Sequence, residues 1–474
     1  MAGIGFELRK IFHKNTIHSN VAGVLYATAT VLGPTILFLI FMVVVQLIFY
    51  NFKIPQESRD FFSAATIYIF VMATFISGAF NYTATRYIAD LMYESNYQGI
   101  GTALYGLILS TGVISGIAGL ILCLHLNLIY HVPVGFLVGY DLFGIMITVS
   151  YAINMFISSL SEYSKITKAY FVGLSAAIGI FAFLYYMLHI AVLTAIIFGM
   201  AIGFFIINFI IIFYAMKAFD LNDFSRVGLK GRWNMQHNGC FYFYRYFKKY
   251  PKLAIGGFSY NIGLFTPGII YWFLSDISES ITGFKVAPAY DTAVFLAMFA
   301  NLSSMVIFTV KVETKFYEKY KNYLGALNYA NYATLEQSKE KMKRTIGEQL
   351  FYIYEIQLVI TLLALSLAVL FFPMLGIGGL TLDFFLLLAI GFYCMYSMYF
   401  TIIFLYYFDD QTGALISTIT FFAVSLILAL IAVRLGTGYY PLPLLIGSII
   451  AWIISFIRLR YYVENINAIL FTRY

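Results

Sequence analysis

The sequence predicts an all-α polytopic membrane protein with about a dozen transmembrane helices, and three observations lead there. Only 11% of its 474 residues are charged and 61% are hydrophobic, against roughly 25% charged in a soluble domain. A chain this poor in charge cannot cover itself with polar groups, so much of its surface faces lipid. Its apolar residues gather in runs of about 20, the length a helix needs to cross the hydrocarbon core. Lys and Arg are confined almost entirely to alternate loops. Aromatic residues make up 19% of the chain, which suits belts at the lipid boundary. The runs lack the strict alternation of barrel strands.

Residues 1–21 place Ile4, Leu8, Ile11 and Phe12 on one stripe, with Glu7, Lys10 and Lys14 off it. That pattern predicts a cytoplasmic amphipathic helix lying in the interface. No signal-peptide core precedes the first run, so the first span directs insertion. An N-terminal six-helix bundle, 22–215, follows from runs at 22–50, 62–82, 100–126, 137–160, 169–188 and 190–215. His189 alone separates the last two, leaving two spans or one re-entrant hairpin open. A basic, aromatic cytoplasmic linker at 216–252 contains Phe241-Tyr242-Phe243-Tyr244-Arg245-Tyr246-Phe247, suited to anionic lipid or a docking partner. A C-terminal six-helix bundle, 253–460, follows from runs at 253–274, 292–310, 349–372, 381–408, 414–433 and 444–457, and a cytoplasmic tail occupies 461–474. A cytoplasmic helical insert at 311–348 reads as two amphipathic pieces, either a solvated helix extending a span or a docking site for a cytosolic partner. The second piece opens with a capping box, Thr334-Leu335-Glu336-Gln337, and sets Glu340 four residues before Arg344.

With the N-terminus inside, four of the 29 Lys and Arg fall in external loops (Lys53, Arg59, Lys285 and Arg434), and the remaining 25 are cytoplasmic. The bias supports an even span count with both termini cytoplasmic. It also explains the net charge of +7 without a nucleic-acid partner.

The two halves carry matching breaks. Gly33-Pro34 lies in the first run and Pro267-Gly268 in the seventh, and a proline inside a helix removes a hydrogen bond and bends it. Pro34 and Pro267 are therefore hinge candidates, since broken helices in corresponding positions often flank a transport route. Cys123, Cys240 and Cys394 have no ligand spacing, the histidines are scattered, and no nucleotide fingerprint has its strand and helix. The expectation is a non-enzyme with no catalytic residues, no metal and no cofactor. The polar groups near the runs, Arg86, Asp90, Asn261, Asp291, Glu313, Asp409 and Asp410, are the pathway candidates, because ionisable groups in lipid face cavities or partners. No carboxylate is placed at the middle of a run, which favours a wide polar path over an ion relay.

Four stretches carry a family resemblance. Met1-Ala2-Gly3-Ile4-Gly5-Phe6-Glu7-Leu8-Arg9-Lys10 resembles the start of the PelG family of exopolysaccharide transporters. Tyr290-Asp291-Thr292-Ala293-Val294-Phe295-Leu296-Ala297, Val312-Glu313-Thr314-Lys315-Phe316-Tyr317 and Tyr407-Phe408-Asp409-Asp410 are similar to family segments too. The resemblance implies a MOP flippase-like fold of two six-helix bundles around a central cavity. It implies export of a Pel-type, hexosamine-rich polysaccharide with some free amines across the bacterial plasma membrane in biofilm formation. The implied partners are the cytosolic glycosyltransferase PelF and the membrane proteins PelD and PelE. Asp291 and Glu313 lie inside matched motifs. The alternatives are a lipid-linked oligosaccharide flippase or drug exporter of the same fold, and a non-transporting scaffold for a polysaccharide synthase.

Overall fold

The computed structural model describes residues 26–160, 163–218, 239–311 and 315–473. The interfacial helix expected at 1–21, Glu313 and the linker residues 219–238 lie outside the described residues. Within them, twelve helices are long and apolar enough to cross a membrane, one for each predicted run. The chain divides into two compact units. One comprises Leu32–Asn261 with Ser280–Val286, and the other comprises Met1–Val31, Ile262–Glu279 and Ala287–Tyr474.

The first unit holds α1 (Gly33–Asn51), α2 (Gln56–Tyr93), α3 (Tyr97–Tyr130), α4 (Val134–Leu160), α5 (Tyr163–Tyr186), α6 (Val192–Ala218), the short α7 (Tyr244–Lys249) and the start of α8 (Pro251–Leu274). Pro34 stands in the first turn of α1, where its missing N–H is no loss. Residues 26–31 are helical as well, and Leu32 forms the break. The second span is longer than its apolar run: α2 has 38 residues, about 57 Å at 1.5 Å per residue. Its polar end, bearing Arg86 and Asp90, therefore projects past a hydrocarbon core of about 30 Å. Asn96 caps α3 by accepting from the Gly99 N–H at 3.0 Å. His131 ends α3 in the left-handed conformation, φ 55°. His189 does the same between α5 and α6, φ 52°, so the fifth and sixth spans are separate helices. The core of this unit is apolar and aromatic, with Phe62, Ile69, Phe143, Ile147 and Ile207 fully buried.

A two-stranded hairpin, β1 (Glu279–Ile281) and β2 (Phe284–Val286), interrupts the helices. Its turn residues Thr282 and Gly283 both have positive φ, 44° and 89°, the geometry that suits the twist of a tight hairpin. Phe284 is buried against Tyr68 and Phe61 at ring-centroid distances of 4.9 and 5.7 Å.

The second unit holds the rest of α8, then α9 (Pro288–Asn301), α10 (Ser303–Lys311), α11 (Tyr317–Tyr329), α12 (Tyr332–Phe371), α13 (Leu380–Tyr407), α14 (Gln411–Leu435), α15 (Leu442–Glu464) and α16 (Ile466–Arg473). The second piece of the insert and the ninth span form one helix, the 40-residue α12, about 60 Å long. Three expectations are corrected here. The cap of α12 is Asn331, which accepts from the Thr334 N–H at 2.9 Å. Asn is a stronger cap than Thr, and it starts the helix before the expected box. Glu340 pairs with Lys343 at 3.6 Å, and Arg344 reaches forward to Glu348 at 2.7 Å. Finally, the eighth span is broken at Leu302, between α9 and α10.

Candidate functional site

Asp291 sits in the first turn of α9, where a negative side chain meets the positive end of the helix. Both oxygens of its half-buried carboxylate accept hydrogen bonds. The Trp272 indole Nε1–H donates to Oδ1 and Oδ2 at 3.0 and 2.9 Å, and the Ala287 N–H donates to Oδ2 at 3.0 Å. A carboxylate at this depth needs such donors, because burial without them is costly. Trp272 comes from the turn of α8 that follows Pro267. An aromatic frame surrounds the pair. Tyr271 stacks on Tyr440 at 4.3 Å and meets Tyr290 edge-on at 4.8 Å. Tyr271 Oη donates to the Tyr440 carbonyl at 2.9 Å, and Tyr440 Oη donates to Asp276. The site thus sets two carboxylates among four aromatic rings. Sequence reasoning found Asp291 but missed Trp272, Asp276 and Tyr440, whose only joint signal is their proximity in space.

Arg86 and Asp90 are brought together near the end of α2, with Nε to Oδ1 at 3.4 Å. They lie one turn apart, so the helix itself aligns them. Both meet the aromatic segment rather than open space. Tyr246 Oη donates to Asp90 Oδ2 at 3.0 Å, and the Arg86 guanidinium lies 5.4 Å from the Tyr250 ring centre. Burial, aided by the Asp90 hydrogen bond, pushes the Tyr246 phenol well above its ordinary range. The same segment packs on α3 at Gly106, where an added side-chain carbon would overlap the Cys240 carbonyl. Arg245, Lys248 and Lys249 remain exposed along it.

Asp409 and Asp410 diverge although adjacent. Asp409 has φ 57° and accepts from Gln411 Nε2 at 2.9 Å. Asp410 is 2% exposed. It caps α14 by accepting from the Gly413 N–H at 3.1 Å, and it receives Arg458 Nε and Nη2 at 2.6 and 3.2 Å. Asn261 donates to the Gly257 carbonyl at 2.9 Å and packs against Gly78 of α2. Pro267 lies inside α8. Pro267 leaves the Gly263 carbonyl without its helical N–H donor, and one residue earlier the Thr266 hydroxyl donates to the Ile262 carbonyl at 2.7 Å. No group of three or more His, Cys, Asp or Glu side chains able to hold a metal occurs among the described residues.

A buried polar network marks the break in the eighth span. Asn301 Oδ1 accepts from Gln357 Nε2 at 3.0 Å and from the Thr361 hydroxyl at 2.9 Å, while Asn301 Nδ2 donates to the Ala389 carbonyl at 3.1 Å. Asn301 is visible in the sequence as a polar residue within a run, but its partners on α12 are not. Asp141, seven residues into α4, is a carboxylate within a span that the scan for charged groups passed over.

The sequence profile of the PelG family, described as "Putative exopolysaccharide Exporter (EPS-E)", matches residues 1–471. No curated protein matches the chain. Among solved structures, the chain is similar to an outward-facing multidrug resistance MATE transporter of the MOP superfamily, at 13% identity and a TM-score of 0.55, over 94% of this chain and 96% of the other. It is similar to a MOP superfamily transporter from Pyrococcus furiosus at 14% identity and a TM-score of 0.60, over the same shares. It is also similar to the MATE transporter VcmN of Vibrio cholerae at 11% identity and a TM-score of 0.60, over 98% of each chain. These likenesses establish the fold: twelve spans in the MATE and MOP arrangement. The chain belongs to the PelG family of exopolysaccharide exporters.

Proposed function

We propose that the chain exports a Pel-type, hexosamine-rich polysaccharide bearing free amines across the bacterial plasma membrane, as the polymer is made by a cytosolic glycosyltransferase of the PelF kind. It does no chemistry itself and works in a complex with PelD and PelE, with both termini in the cytoplasm. The observation that carries this reading is the Asp291 site, in a chain whose family match is nearly end to end. Carboxylates attract ammonium groups where the dielectric is low, and aromatic faces add cation–π attraction. Asp291, Trp272 and Tyr440 therefore suit an amino-sugar unit. The exposed Arg245, Lys248 and Lys249 suit anionic lipid headgroups.

The test is reconstitution of the full chain with its synthase in sealed vesicles, with polymer measured inside the lumen. Lumenal polymer supports the reading, and synthesis that leaves the lumen empty refutes it. Asp291→Asn removes one carboxylate–ammonium attraction. That is worth about 1.4 kcal/mol, so export should fall by about tenfold with the melting temperature little changed. A second reading, export of short lipid-linked oligosaccharides or drugs, draws on the fold shared with a multidrug transporter. It requires transport of short substrates with no synthase present. A pure scaffold would tolerate Asp291→Asn and lose export only through changes in residues 217–252.

A further inference from the structure

Asp141 has no role in the site above. It stands seven residues into α4, about 10 Å along the helix axis, inside the membrane-crossing stretch Val134–Asn154. Its Oδ1 is buried and has no hydrogen-bond partner. The carboxylate rests against the α3 backbone at Gly119, where any larger residue would displace it. Beside it runs a groove of about 630 Å³ between α3, α4 and α6, walled by Val113, Ile117, Leu120, Phe205 and Phe209. Those five side chains are exposed. The other polar residue in the groove is Asn208, 3% exposed. It gives its Nδ2–H to the Met146 carbonyl at 2.8 Å, while its Oδ1 has no donor.

The groove is therefore lined by a half-buried carboxylate and a buried amide, each with an oxygen that has no donor, in apolar walls. An acceptor pair in such a setting calls for a cation. Depth decides what carries it. The amine of a lipid headgroup lies at the interface, level with the helix ends, whereas Asp141 lies two turns inside. A Lys or Arg on a membrane-spanning helix reaches that level. A second copy of this chain has none to spare among its described residues. Outside the polar half of α12, Arg86 and Arg458 are the basic residues six or more positions from a span end. They are held by Asp90 and Asp410. We infer that the groove between α3, α4 and α6 docks a transmembrane helix of a different protein, through a basic residue that pairs with Asp141.

The test places the full chain in phosphatidylcholine nanodiscs with two synthetic Leu/Ala membrane-spanning peptides. One carries a single Lys two turns from its end, and the other carries Leu there. Binding is read by energy transfer to a dye on Val138→Cys, since the native thiols are buried. The Lys peptide should bind about tenfold tighter, and Asp141→Asn should abolish that preference. Ile117→Trp fills the groove while leaving the carboxylate in place, and it should weaken the Lys peptide too. Equal binding of the two peptides overturns the inference, as does a preference that survives Asp141→Asn or binding untouched by Ile117→Trp. Loss of the Lys peptide on changing to phosphatidylethanolamine would assign the groove to a lipid amine and overturn it as well.

Discussion

Asp410 combines two tasks in one side chain. One oxygen caps α14 through the Gly413 N–H, and both oxygens hold the Arg458 fork. Asp410→Asn keeps a good capping side chain but leaves the guanidinium without its counter-charge. Breaking a buried pair costs about 3–5 kcal/mol. Arg458 keeps 37% of its side-chain surface exposed, so solvent lowers the expected loss to about 2 kcal/mol. Asp410→Ala removes the cap as well, for about 1 kcal/mol more. Thermal unfolding in detergent measures both, and an unchanged melting temperature for Asp410→Ala would contradict the assignment. None of this was legible in the chain itself. The acidic pair stood out beside a span end, but 48 residues separate Asp410 from its partner, and spacing over such a distance carries no signal. Asp291 was visible for the same reason, as a charge beside a run, while Trp272 blended into the apolar face of α8.

Elements were readable where a single helix decides the outcome, and less so where neighbours do. The twelve spans follow from run length alone. The join between the insert and the ninth span is open in the sequence, because a polar stretch and an apolar stretch look like two objects although the backbone hydrogen bonds run through both. Docking of residues 239–250 onto α2 and α3 depends on Gly106, which the sequence offers as one glycine among 36. Gly106→Ala would force Cys240 away. In a Cys123→Ala, Cys394→Ala background, the Cys240 thiol, now 5% exposed, should become reactive to maleimide, with a stability loss of about 1–3 kcal/mol. Unchanged protection would show that the segment is held elsewhere. Pro267→Ala restores a backbone hydrogen bond in α8 and straightens it. The variant should melt higher and export severalfold more slowly. A faster exporter would remove Pro267 from the list of hinges.

At the scale of the whole molecule, composition and charge bias gave the membrane class and span number, because lipid is an unforgiving solvent for backbone and charge. Asp141 escaped for the converse reason: one carboxylate barely moves the mean hydropathy of a 20-residue window. Twelve spans and the Lys and Arg bias together place Lys285 and Lys341 on opposite sides of the membrane. Lys285→Cys should react with an impermeant reagent in intact cells, and Lys341→Cys only after lysis. The reverse order would invert the topology. The unbroken course of α12 has a mechanical result. Its polar arm extends out of the bilayer, while Gln357 and Thr361, further along the same rod, grip Asn301 at the joint in the eighth span. The rod is a lever with its fulcrum at the headgroups, so torque applied by any body that seizes the arm outside the bilayer is delivered to that joint.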